Sequence, residues 1–151
     1  MIVQTIRFGQ LEIEDNEIIC FPQGIPGFPE YKKYTMISLE DSPFYFLQSV
    51  DEGSLSFVLA SPFEFFPDYE FELKTDVLHE LGNPEPEQIG VLNIVTVKDG
   101  IEEATANLAA PIVWNAVSRS AIQVVLQDTP YRTKHLLFAS MPGNEGEGAS
   151  C

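Results

Sequence analysis

The sequence predicts a mainly β fold: a small antiparallel roll or barrel-like single domain with one or two short helices. Three observations carry this. Short runs of β-branched and aromatic residues recur along the chain, some in clean alternation. Turn residues punctuate them at short intervals, with 10 Gly and 11 Pro in 151 residues. One convincing helical piece, residues 75–81, interrupts the pattern. A chain of this length holds one hydrophobic core, and 44% hydrophobic residues suffice to fill it.

Taken in order, residues 2–7 alternate, with Val3, Thr5 and Arg7 on one face and Ile2, Gln4 and Ile6 on the other. Residues 11–14 alternate cleanly, and the apolar run 18–21 follows Asp15-Asn16. Three prolines and two glycines between Phe21 and Pro29 then forbid regular structure. Further strands are expected over 34–39, 44–50 and 55–60. Thr75 is placed to cap the helix, Asp76 suits its N-terminus, and Gly82 can close it. The long apolar run 89–97 reads as a strand, and Lys98-Asp99-Gly100 supplies a hairpin turn before Ile101. Strands over 113–117, 121–126 and 133–138 complete the domain, with 118–120 as a turn candidate. One domain over residues 1–140 is expected, followed by a disordered acidic, Gly-rich tail over 141–151.

The termini and the cysteines point to a cytoplasmic protein. The first residues lack the basic and apolar regions of a signal peptide, and no run approaches the length that spans a bilayer. Cys20 lies in an apolar run and reads as a small buried thiol; a disulfide to Cys151 would tie a strand to the tail and is not expected. With 23 acidic and 8 basic residues, the formal charge is −15. That charge disfavours nucleic acid and anionic membranes and favours a basic protein partner. It also disfavours casual self-association, so a monomer is expected in the free state.

The residues carry no catalytic constellation. His79 and His135 lack the spaced ligands of a zinc site and read as surface or core histidines. Gly-x-Ser-x-Gly and Rossmann fingerprints are absent, and Gly24-Ile25-Pro26-Gly27 has no lysine after it to serve a phosphate loop. No cofactor is implied. Carboxylates are too numerous for any pair to be informative, which leaves open a small-ligand-binding β-barrel or a carboxylate-based enzyme.

Rings and acids crowd the middle of the chain. Seven of the 11 Phe residues fall between positions 44 and 71, and residues 35–97 hold twelve acids against Lys74 alone. The segment Ser61-Pro62-Phe63-Glu64-Phe65-Phe66-Pro67-Asp68-Tyr69-Glu70-Phe71-Glu72-Leu73 is too proline-rich for a plain strand. It reads either as a folded corner with rings in the core and acids in water, or as an anionic, aromatic-rimmed interaction patch.

Four motifs in order carry a family resemblance: Gly24-Ile25-Pro26-Gly27-Phe28, Pro43-Phe44-Tyr45-Phe46-Leu47-Gln48-Ser49, residues 61–69, and Ala106-Asn107-Leu108-Ala109-Ala110-Pro111-Ile112 with Asn115. Together they resemble the flagellar assembly factor FliW family over residues 2–138. The resemblance implies a small β roll that is not an enzyme. It implies a cytoplasmic, chaperone-like partner that binds flagellin before export and antagonises the translational regulator CsrA, with the two partners as alternatives. The partner-binding residues expected on this basis are Phe28, Phe44, Phe46, Glu64, Phe65, Asp68, Tyr69, Glu70 and Glu72. The four acids are assigned to basic CsrA, and Phe44, Phe46, Leu47 and Phe65, with the Pro26-Gly27-Phe28 corner, to the apolar flagellin termini. Asn107 and Asn115 are equally suited to satisfying backbone groups at strand ends.

Overall fold

A computed structural model describes residues 1–97 and 100–138. Among them the strands are β1 (Ile2–Thr5), β2 (Gly9–Glu12), β3 (Ile18–Cys20), β4 (Lys33–Ser38), β5 (Phe44–Ser49) and β6 (Ser56–Ala60), followed by β7 (Ile89–Thr96), β8 (Thr105–Ala106), β9 (Ile112–Asn115), β10 (Ser120–Gln123) and β11 (His135–Leu136). Two short helices, α1 (Pro62–Phe65) and α2 (Thr75–Glu80), lie between β6 and β7.

Seven strands close on themselves. β3 to β7 pair in sequence, β7 pairs β9, β9 pairs β10, and β10 returns to β3. Every contact in the ring is antiparallel except the last, a single parallel step between Ser120 and Cys20. The mainly β, barrel-like fold read from the sequence is therefore the fold observed. Closure leaves β7 with two neighbours on one edge: Ile89 to Leu92 pair with β9, and Val95 and Thr96 with β8.

Alternation decides what fills the ring. Ile19, Tyr34, Leu47, Leu59, Leu92, Ile112 and Ala121 point inward and pack with Phe21 and Ile25. The same alternation corrects one expectation: Ile19 takes the buried position, so its neighbour Cys20 is exposed rather than a buried thiol. A second core gathers Ala60, Tyr69, Val95, Ala106 and Leu108 outside the ring, and a third seats α2 on Val113 and Ile122.

Turns explain the motifs of the first half. Phe28 N–H donates to the Ile25 carbonyl at 2.7 Å, with Pro26 and Gly27 at the corners and Gly27 at φ 93°, the pattern of a type II turn. Gln48, fully buried, donates through its amide to the carbonyls of Ser49 and Leu55 (both 3.1 Å) and ties the β5–β6 hairpin. The β1–β2 hairpin docks there: Ile6 N–H reaches the Gly53 carbonyl at 3.0 Å. A Cβ on Gly53 would meet the Gln4 carbonyl oxygen, so only glycine permits that approach.

Other boundaries shift for local reasons. Lys74, not Thr75, occupies the N-cap of α2 and makes no side-chain cap bond; Thr75 already lies in the first turn. The C-terminus ends as expected, with Gly82 at φ 86° and Asn83 N–H reaching the Leu78 carbonyl at 2.8 Å. Residues 101–103 form a 3₁₀ turn instead of a strand, and β8 makes the return pairing to β7. Lys98 and Asp99 of the expected hairpin turn, and the expected tail over 141–151 with Cys151, lie outside the described residues. The strand expected over 133–138 shrinks to β11, whose register covers two residues of β8.

At the fork in β7 sits Asn93, with no exposed surface. Its Nδ2 donates to the Asn107 carbonyl at 2.6 Å, and Asn107 Oδ1 accepts the N–H groups of Ala109 and Ala110 (both 3.1 Å). Asn93→Leu leaves the Asn107 carbonyl without that donor, at a cost of about 1–3 kcal/mol. The expected outcome in urea unfolding is a lower midpoint with an unchanged slope.

Candidate functional site

The rings and acids of residues 61–73 come together on the second core. Pro62 opens α1, and its carbonyl accepts the Phe66 N–H at 2.7 Å. A turn over 66–69 follows, with Pro67 and Asp68 at its corners and Tyr69 N–H on the Phe66 carbonyl at 2.9 Å. The turn drives Tyr69 inward to 4% exposure, where its hydroxyl donates to the Leu108 carbonyl at 2.7 Å. Burial pushes the Tyr69 phenol up to about 12. Its ring lies 4.6 Å from Tyr131 edge-on and 5.4 Å from Phe71, and the Tyr131 hydroxyl accepts the Glu70 N–H at 3.1 Å. Tyr69 is thus the nail that holds the segment down.

With the rings fixed, the acids have one direction left. Glu64, Asp68, Glu70 and Glu72 are all exposed. Phe65 is half-buried between Phe44 (stacked, 6.0 Å) and Phe138 (edge-on, 5.7 Å). Phe63, which sequence reasoning did not single out, is 48% exposed beside Tyr69. A recess of about 340 Å³ opens between Phe65, Phe66, Tyr69, Leu108, Tyr131 and His135. Phe66, Leu108, Tyr131 and His135 are not among the expected partner-binding residues; the last three stand far from the acidic segment in sequence and arrive through tertiary packing.

Two expected residues lie elsewhere. Phe46 shares a strand face with Phe44 but is covered by the Arg7 guanidinium, 4.6 Å over its ring, and by Phe8 at 5.2 Å. Phe28 is 38% exposed and packs edge-on against Phe57 at 5.7 Å, on the barrel core. Leu47 is buried inside the ring. The structure therefore stacks Phe44 on Phe65 and brings Phe65, Asp68 and Tyr69 to one recess, with Glu64 and Glu70 exposed on the same segment; Glu72 lines the groove beside α2, and Phe28 and Phe46 lie elsewhere.

Among the described residues every Asp and Glu is exposed except half-buried Glu52, and no group of His, Cys, Asp and Glu is arranged to hold a metal. The two asparagines of the fourth motif serve the backbone: Asn115 Nδ2 donates to the Leu81 carbonyl at 2.7 Å, and its Oδ1 accepts Val117 and Ser118 N–H. Among the described residues no helix is long and apolar enough to cross a membrane.

His135 lines the recess beside Asp68, Tyr69 and Tyr131. Its Nε2 accepts the Arg132 N–H at 2.8 Å, and burial, then the Arg132 charge, lowers its pKa from the ordinary 6.5. A lowered histidine pKa means the neutral form is favoured in the fold. Its contribution is full above pH 6.5 and is lost as pH falls through the lower folded value. Proton titration followed by NMR is expected to give a His135 midpoint below 6.5, with faster Arg132 amide exchange on the acid side as Nε2 ceases to accept.

Comparison with known proteins places this geometry. The family model described as FliW protein matches residues 2–137. The chain is 46% identical to the flagellar assembly factor FliW of Geobacillus kaustophilus over 138 residues, covering 91% of this chain and 96% of that one. It is 44% identical to the flagellar assembly factor FliW of Alkaliphilus metalliredigens over 140 residues, covering 91% and 86%. A crystal structure of the flagellar assembly factor FliW superimposes with a TM-score of 0.86 at 42% identity, covering 91% of this chain and 96% of that one. The family model, the relatives and the solved structure agree, and the chain belongs to the FliW family of flagellar assembly factors.

Proposed function

We propose that this chain acts in the cytoplasm as a binding protein, holding flagellin before export and antagonising CsrA, so that flagellin translation follows export. Membership of the FliW family supports the flagellar role. The observation that carries the molecular reading is the segment pinned by Tyr69, which exposes four acids in sequence among partly exposed rings.

An RNA-binding regulator presents basic surface, and a partner of charge −15 is drawn to it. Acids docked beside an RNA site also repel phosphate, so antagonism needs no physical cover of that site. Apolar, helix-forming flagellin termini find rings at Phe44, Phe63 and Phe65. The alternatives, a ligand-binding barrel or a carboxylate enzyme, call for polar groups converging inside the ring. The ring's core instead holds hydrophobic side chains, Tyr34 with its hydroxyl among them, and the described carboxylates are exposed or half-buried.

Calorimetric titration with CsrA and with flagellin, each at two salt concentrations, tests the reading. Binding to both, with flagellin displacing CsrA, is the expected result. Glu64→Lys with Glu70→Lys should weaken CsrA binding about tenfold at low salt and flatten its salt dependence together. Unchanged affinity in that double variant removes the acidic face from the CsrA contact, and binding to neither folded partner removes the proposal.

A further inference from the structure

A second surface lies beyond β10. Val124 N–H donates to the Pro111 carbonyl at 2.9 Å and Leu126 N–H to the Ala109 carbonyl at 2.8 Å, so the chain continues as an extended strand past Gln123. Those bonds use one edge. By alternation, Val125 and Gln127 aim their backbone groups at the opposite edge. β3, the neighbour on that side, pairs with β10 at Ser120 and then departs through Phe21 and Pro22. Among the described residues the backbone N–H and C=O groups of Val125 and Gln127 have no hydrogen-bond partner.

That open edge borders a groove of about 670 Å³ against α2. Phe71, Val77, Ile122 and Val124 give it an apolar floor. Val125 beside it is 61% exposed. Residues 121–127 contain no lysine, no proline and no charge, the devices by which edge strands are ordinarily blunted. Glu72, Asp76, Glu80 and Asp128 line the groove against Lys74 alone among the bases.

We propose that this groove receives an extended, cationic segment of a partner protein, which adds to the Val125 and Gln127 edge as a strand. Main-chain bonds to the open edge supply affinity, alternate apolar side chains reach the floor, and alternate lysines or arginines meet the acidic rim. A second copy of this chain would set the same acids against each other. The chain's own tail, with Glu145 and Glu147 and no base, carries the wrong sign. The inference goes beyond the flagellin and CsrA reading, sharing with the Tyr69 face one named acid, Glu72.

The test uses the full chain and an eight-residue peptide alternating lysine and valine. NMR amide exchange should slow at least tenfold at Val125 and Gln127 on saturation. N-methylating one alternate set of peptide amides should weaken binding at least tenfold, whereas methylating the other set has a lesser effect, the parity that strand addition requires. A glutamate–valine peptide should not bind. Asp76→Lys with Glu80→Lys, checked for unchanged thermal unfolding, should weaken the lysine peptide about tenfold. No saturable binding at millimolar peptide, equal tolerance of both methylated sets, or protection confined to the Tyr69 face would each overturn the proposal. Loss of CsrA or flagellin binding in the Glu64 and Glu70 variant leaves this test untouched, so the two readings fail separately.

Discussion

One strand edge must serve two neighbours, and the rest of the molecule is arranged around that demand. β7 gives its first half to β9, closing the barrel, and its last residues to β8. Where the neighbours part, a ladder would leave polar groups stranded in the interior. Asn93 fills the break with a side-chain amide to the Asn107 carbonyl, while Asn107 N–H reaches the Ile94 carbonyl at 3.0 Å. The segment that follows is then fixed from several sides. Asn107 Oδ1 holds Ala109 and Ala110, and the Arg132 carbonyl accepts the N–H groups of Leu108 and Ala109 (both 3.1 Å). From this one clamp come both surfaces: Leu108 offers the carbonyl that anchors Tyr69, and Ala109 and Pro111 offer those that keep residues 124–126 extended.

What the sequence made legible and what it hid divide along the same line. Alternation and turn chemistry are local, so most strand runs, the Pro26-Gly27 corner and the Gly82 helix stop could be read from neighbouring residues. The exposure of Glu64, Asp68, Glu70 and Glu72 was legible too, because a carboxylate seldom leaves water unpaired. Ring destinations were not. Phe44 and Phe46 sit two residues apart on one strand face, yet Phe44 stacks on Phe65 from a later segment while Phe46 is roofed by Arg7 and Phe8 from an earlier one. Tyr69 belonged to a motif that suggested contact with a partner, and its hydroxyl is instead committed to Leu108. The fork in β7 left no local trace, since nothing in an apolar run says how many strands it will pair with.

Charge follows from how the few bases are spent. Arg7 lies on the Phe46 ring, and Arg119 lies over Trp114 while donating to the Ile18 and Glu17 carbonyls. These two cations are used to hold the N-terminal hairpin and the β9–β10 turn to the barrel, and the acids of the middle segment keep their field. Such a field acts over about a Debye length, roughly 8–10 Å at physiological salt, so it steers encounter more than it cements a complex. Durable contact at either proposed surface must come from rings or backbone groups, which lie beside the acids on the Tyr69 segment and at the Val125 edge respectively.

Those surfaces also share a thermodynamic advantage. A loop that orders on binding gives back about 1–2 kcal/mol per residue in backbone entropy. Residues 61–73 avoid much of that cost because Tyr69 and the Glu70–Tyr131 bond already hold them. The Val125 and Gln127 edge avoids it differently: bonds from Val124 and Leu126 to the opposite side hold the strand straight before anything pairs with it. A strand added to a pre-straightened edge loses its own freedom but imposes little further loss on the acceptor. The same asparagine clamp that lets one strand serve two neighbours therefore prepares both surfaces, and a change at Asn93 or Asn107 reaches either one by loosening its support, without touching a residue of it.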